Sequence, residues 1–337
     1  MFKLPASKMN ELFSLINAER SLYLPIEENG AINFAKWSPG AVVRLDVLNT
    51  VKSPKDFFFP IAEDIAAFKH RGKEISMEDI RSPVEPFTLF GIRACDAESL
   101  NLLDRVFLSD LPDTFYQSRR QNGVIITTAC PRPEETCFCG VFDINAANPG
   151  GDIATWIIGD ILYWKSFTEK GSELTEKVKG LFKQAEETEI AEQQAKTAAI
   201  LNKLPFKDLN LERFSGETLM DKFNSPKWAE IYQTCLGCGI CTFICPTCHC
   251  YDIRDFNTGS EIQRYKCWDS CMYSDFTLMA HGNPRTSQLE RFRQRYMHKL
   301  IYFPDNNDGF YACVGCGRCV QKCPVSMNIV KVAKALE

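Results

Sequence analysis

Residues 235–246 read CLGCGICTFICP, and residues 313–324 read CVGCGRCVQKCP. Both follow C-x2-C-x2-C-x3-C-P, the spacing that wraps a cubane iron–sulfur cluster. Three close-set thiolates hold three corners from one short loop, and the glycines let the backbone approach and turn. In two-cluster ferredoxins the fourth cysteine of each phrase ligates the other phrase's cluster. By that rule one cluster takes Cys235, Cys238, Cys241 and Cys323, and the other takes Cys313, Cys316, Cys319 and Cys245. A pair of zinc sites is the competing reading. Zinc knots use C-x2-C pairs, however, and need neither a third cysteine two residues on nor the C-P closure.

Eight further cysteines bring the total to sixteen. Cys95 follows the apolar run FTLFGI, Cys130 ends GVIITTAC, and Cys137 and Cys139 come next in CPRPEETCFCG. If the two runs are parallel neighbours, these four thiols converge at one edge of a sheet, where α/β folds build sites. A third cubane is expected there, with zinc and uncoordinated thiols as alternatives. Asp96 would supply an oxygen ligand or tune the site. The remaining four are Cys248 and Cys250 in CPTCHCYD, and Cys267 and Cys271 in KCWDSC. They read either as a fourth cluster or as buried thiols beside the first two, with His249 as a ligand or a hydrogen-bonded imidazole.

Three structural units are expected to position these groups. The chain has 337 residues, 45% of them hydrophobic and 24% charged, with net charge −4. That length suits two domains, and the acidic balance argues against nucleic acid. The start reads as an amphipathic helix over 7–17, not as a secretory signal, and no apolar stretch reaches the ~20 residues of a spanning helix. Thiols grouped at metal-ligand spacing then point to a reducing cytosol instead of disulfides.

AVVRLDVL (41–48) alternates like a strand. FTLFGI (87–92) and GVIITTAC (123–130) read as buried strands flanking a helix from Asp96 to Leu108, a parallel unit. DIATWIIGDILYWKSF (152–167) reads as a hairpin turning at Gly159-Asp160. The fold class expected is an α/β or α+β N-terminal domain over 1–170 carrying the third site. A charged helical linker over 171–225 and an all-helical two-[4Fe-4S] ferredoxin-like domain over 226–337 follow it. In the last, RTSQLERFRQRYMHKLI (285–301) puts Leu289, Phe292, Tyr296 and Leu300 on one stripe. Arg291, Arg293, Arg295 and Lys299 lie opposite, either solvated or compensating cluster charge.

CLGCGICTFICPTCHCYD, CWDSC, RQRYMHKL and CVGCGRCVQKCP resemble the two-cluster subunit family that includes the β subunit of cytosolic sulfhydrogenases and the corresponding iron–sulfur subunit of anaerobic sulfite reductase. FFFPIAED, GIRACDAESL and TACPRPEETCFCG extend the resemblance over about 40–330. It implies an electron-carrying subunit of a cytoplasmic anaerobic oxidoreductase complex. Such a subunit lies between a flavoprotein that handles NAD(P)H (or a ferredoxin) and a catalytic subunit of hydrogenase, sulfite reductase or heterodisulfide-reductase-like type. It also implies Cys95, Cys130, Cys137 and Cys139 as third-site ligands. Cys248, Cys250 and Cys271 fall in the family's motifs, whereas Cys267 stands where the motif requires none.

The chain has no dinucleotide fingerprint, phosphate loop, zincin motif or nucleophile elbow. It therefore reads as a non-catalytic carrier that inserts in no membrane. The alternative is an enzyme acting on a small substrate at the N-terminal cysteine cluster.

Overall fold

Two sheets organise the chain in a computed structural model that describes residues 1–259 and 261–337. The strands are β1 (Phe2–Pro5), β2 (Ser21–Glu28), β3 (Ala31–Lys36), β4 (Ala62–Arg71), β5 (Glu74–Glu78) and β6 (Phe87–Ile92). After these come β7 (Gly123–Thr128), β8 (Ile153–Ile158), β9 (Ile161–Ser166), β10 (Lys183–Gln184), β11 (Tyr251–Asn257) and β12 (Glu261–Trp268). The larger sheet runs β10-β1-β9-β8-β7-β6-β2-β3 and the smaller β11-β12-β4-β5.

The centre of the larger sheet follows the sequence reading. β6 and β7 are buried along their whole length and pair in parallel, Leu89 opposite Ile125 and Ile92 opposite Thr127. Continuous apolar runs of this kind suit a sheet covered on both faces. The helix between them, Ala94–Phe107, buries Ala97, Leu100, Leu103 and Phe107 against Phe58, Phe59, Leu89 and Ile125. A second helix before β7, Thr114–Asn122, is capped by Asp113, whose carboxylate accepts from the Phe115 and Tyr116 N–H groups. β8 and β9 form the expected hairpin around Gly159, which has φ +56°.

Three expectations give way. Residues 41–48 are not a strand: Val43 makes one isolated bridge to Ile26. The carbonyls that a ladder would use are taken by Arg93, which donates to Leu45 O at 2.6 Å and to Val47 O at 2.6 Å. The charged stretch after 170 is not a solvated helix pair. Helix Glu169–Val178 buries Leu174 and Val178 in the core of the larger sheet, and β10 extends that sheet beside β1. Helix Thr188–Leu201 packs on β8 through Ile190.

The C-terminal unit is not all-helical either. β11 and β12 form a hairpin between the two cysteine phrases, and β12 pairs with β4 to complete the smaller sheet. β11 is largely exposed and β12 half-buried, and both carry charge at many positions, so YDIRDFN and EIQRYKCW lack the clean apolar alternation that announces a strand. The helical part holds as read. Helix Gln288–Met297 starts in a capping box of Ser287 and Glu290, continues as a π-helical turn over His298–Tyr302, and buries Phe292, Tyr296 and Leu300.

Candidate iron–sulfur centres

Burial and backbone geometry sort fifteen of the sixteen cysteines into four groups. Cys235, Cys238 and Cys241 of the first phrase line one pocket together with Cys323 of the second phrase. Met272, Tyr296, Val325 and Met327 close it with apolar surface. The fourth thiol lining this pocket is thus the one from the other phrase.

The second group is its counterpart. Cys313, Cys316 and Cys319 are electrostatic neighbours of one another and of Cys245. Burial pushes the Cys313 thiol up to about 12. Thr247 hydrogen-bonds Cys245 Sγ at 3.2 Å, and Lys299 Nζ donates to Thr247 Oγ1 at 2.9 Å and to Ala312 O at 2.7 Å.

The third group forms where the parallel strands end. Cys95, Cys130, Cys137 and Cys139 are 5–9% exposed and line one pocket. Cys316 lines the same cavity, so this group abuts the second. Arg93 borders it as a buried cation whose acceptors are the carbonyls of Leu45, Val47, Thr128 and Ala129. Burial, with the neighbouring thiols, pushes Cys137 and Cys139 up to about 12, so both stay protonated at neutral pH.

The junction between the halves is tight. Gly315 has φ +58°, and a Cβ there would stand 2.4 Å from Phe138 O; at Gly317, φ +79°, it would meet Thr136 O at 2.7 Å. Only glycine lets the second phrase lie against the Cys137–Cys139 loop. Asp96 supplies no oxygen to the thiols: both its carboxylate oxygens accept from Arg318, at 2.6 and 2.8 Å.

Cys248, Cys250 and Cys271 gather at the open end of the β11–β12 hairpin. Cys271 and Cys250 are electrostatic neighbours, as are Cys248 and Cys245. Cys267 does not join them. It lies in β12 opposite Asp252, with Arg254 and Asp269 as its charged neighbours. His249 is no ligand here: its Nδ1 lies 3.1 Å from Thr247 O, its ring packs on Phe107, His298 and Phe303, and burial lowers it to about 4. Of the basic stripe on helix 288–297 and the π-helical turn after it, Arg295 is 2% and Lys299 3% exposed, so that end faces the thiols instead of water. Sequence reasoning missed Arg93, Lys55 and Arg318. Arg93 directly before Ala-Cys, and Arg318 directly before Cys319, were the local signals; Lys55 had none.

A family model for a 4Fe-4S dicluster domain matches residues 234–327. Sulfhydrogenase 2 subunit beta of Pyrococcus furiosus is 33% identical over 335 residues, 98% of this chain and 96% of the relative. The chain belongs to the sulfhydrogenase β-subunit family. No solved structure matches it. As a member of this family with a dicluster domain, it is an iron–sulfur protein of at least two clusters. Among the described residues no helix is long and apolar enough to cross a membrane.

The donor chemistry fits such groups. Thiols ring enclosed apolar space, and buried cations without carboxylate partners stand beside them. An uncompensated buried cation is costly, and a net-negative thiolate cluster supplies the missing charge. Among the described residues no three cysteine, histidine, aspartate or glutamate side chains close to single-ion spacing.

Proposed function

We propose that this β-family chain is the electron-relay subunit of a cytosolic oxidoreductase complex. Cys235, Cys238, Cys241 and Cys323 hold one [4Fe-4S] cluster. Cys313, Cys316, Cys319 and Cys245 hold a second, and Cys95, Cys130, Cys137 and Cys139 a third. Bound there, the clusters supply one-electron transfer at potentials tuned by burial, charge and hydrogen bonds to sulfur.

One observation carries the reading: the three thiol groups are contiguous. The N-terminal group shares its cavity with Cys316 of the second, and the two ferredoxin phrases exchange Cys245 and Cys323. A row of this kind is a conduit. Its ends differ, because the N-terminal thiols are buried whereas Cys238 is exposed. Leu236 at 63% and Ile240 at 39% exposure flank Cys238, with Tyr273 Oη 3.4 Å from its carbonyl. An apolar collar around an exposed ligand suits docking by a partner redox subunit. The partners proposed are a flavoprotein that exchanges electrons with NAD(P)H and a catalytic subunit of the hydrogenase, sulfite reductase or heterodisulfide-reductase-like class. Burial of the N-terminal thiols leaves a small substrate little access, which favours a relay over an enzyme at that site.

Anaerobic purification from the native source at low salt is the test. Co-purification of a flavoprotein and a catalytic subunit is expected. Turnover of a substrate by the isolated chain with an artificial reductant would overturn the relay reading.

A further inference from the structure

Three cations lie buried around residues 245–250, and among the described residues none of them has a carboxylate acceptor. Lys55, 2% exposed, comes from the N-terminal half; its Nζ donates to Cys248 O at 2.7 Å and stands 4.1 Å from the centre of the Trp268 ring. Arg295 donates from Nη1 to Cys248 Sγ at 3.3 Å and from Nη2 to Cys241 O at 2.7 Å, and its buried Nε has no partner. Lys299 ends on the Thr247 hydroxyl and the Ala312 carbonyl. Arg318, by contrast, has its own carboxylate in Asp96.

Burying one cation on neutral acceptors is costly, and burying three around one loop is more so. The first and second thiol groups account for part of the missing negative charge, since Arg295 also reaches Cys241 and Lys299 lies near Cys245 and Cys313. Lys55 is different: the groups of opposite sign on ionisation nearest it are the thiols of Cys245, Cys248 and Cys250. Two of those thiols belong to neither ferredoxin set.

The hairpin explains how these thiols meet. Tyr251 pairs with Trp268, and Asp269 N donates to Cys250 O at 3.0 Å, so the ladder runs on until it delivers Cys271 beside Cys250. The base of the hairpin serves as a clamp.

We propose that Cys248, Cys250 and Cys271 bind an iron–sulfur group of their own beside the one at Cys245, with Lys55, Arg295 and Lys299 as its counter-charges. This rests on the iron–sulfur reading above and corrects the expected ligand set by removing Cys267.

The test is metal and sulfide analysis of the anaerobically purified full-length protein beside C250S/C271S and C267S, with electron paramagnetic resonance on each. C250S/C271S is expected to lose the iron and sulfide of one group while the ferredoxin-phrase signals remain, and C267S to lose none. Unchanged iron in C250S/C271S, zinc in place of iron, or a Cys250–Cys271 disulfide in the wild-type protein overturns the proposal. Should the double variant fail to fold, the wild-type count decides: three cubanes account for about 12 irons, and a count no higher overturns it. Failure of the underlying reading looks different, because the wild-type chain would then carry no iron–sulfur signal at all.

Discussion

Asp96 and Arg318 form a bidentate ion pair at 2.6 and 2.8 Å with both side chains 3% exposed, joining the first turn of helix Ala94–Phe107 to the second cysteine phrase. Each residue is one or two positions from a proposed cluster ligand, Cys95 on one side and Cys316 and Cys319 on the other. Burial disfavours charge on Arg318, but Asp96 and the Cys316 thiol outweigh it and hold the guanidinium above its usual range. The pair aligns the N-terminal thiol group on the ferredoxin-type unit.

Arg318→Met leaves the Asp96 carboxylate buried without a partner. Removing one member of such a pair costs about 3–5 kcal/mol. Denaturant unfolding of the holo protein should show that loss, whereas Asp96→Asn combined with Arg318→Met should recover part of it. A loss below about 1 kcal/mol in the single variant would mean that the pair is solvated.

The crossing of ligands has a signature of its own. Cys323→Ser should abolish the same paramagnetic signal as Cys241→Ser, although the two residues lie in different phrases. Cys245→Ser should instead match Cys313→Ser. Each is expected to lower iron by about four atoms per chain. If Cys323→Ser pairs with Cys319→Ser, each phrase completes its own cluster.

Cluster insertion at the N-terminal group should release protons. Cys137 and Cys139 are held up near 12 by burial, so both enter as thiols at any pH from 7 to 9 and leave their protons on ligation. Reconstitution in weak buffer should acidify the solution by about four protons per cubane at this group. Insertion should also quicken as pH rises, because raised thiol pKa values make protons the competitor of metal. A rate independent of pH across that range would mean that the thiols are already ionised.

Leu236→Glu tests the exposed end. Leu236 lines the first cavity from an exposed position, so a charge there should leave iron content and spectra unchanged and slow electron exchange with the docked partner several-fold. Stopped-flow reduction of the assembled complex reads this. An unchanged rate would move the docking site elsewhere.

Much of the thiol placement was legible because local spacing encodes it. The gathering of Cys235, Cys238, Cys241 and Cys323 at one pocket follows from one repeated phrase, and the neighbouring strands β6 and β7 from two uninterrupted apolar runs. What was illegible is non-local. Alternation at 41–48 mimicked a strand because no local rule tells a ladder partner from the guanidinium of Arg93. The β11–β12 hairpin hid because its strands are charged on both faces and the cysteine motifs drew attention to its base. Lys55 gave no sign of its role, since only the fold brings a turn near the N-terminus against Cys248. Of the arginine stripe, Arg295 and Lys299 are buried rather than solvated, whereas Arg291 and Arg293 are only half-buried.

The smaller sheet also dictates a schedule. β4 and β5 leave the ribosome early, yet β4 finds its inner neighbour only when β12 arrives, pairing Lys69 with Glu261 and Ala62 with Cys267. Contacts of such long range are slow to close and leave strand edges open meanwhile. The first cysteine phrase emerges before β12, and Cys323 comes later still. During synthesis the early thiols therefore wait, first for their scaffold and then for their last companion. On the proposed ligand sets, the thiols of the first phrase are made well before Cys323 and stand without it in the interval.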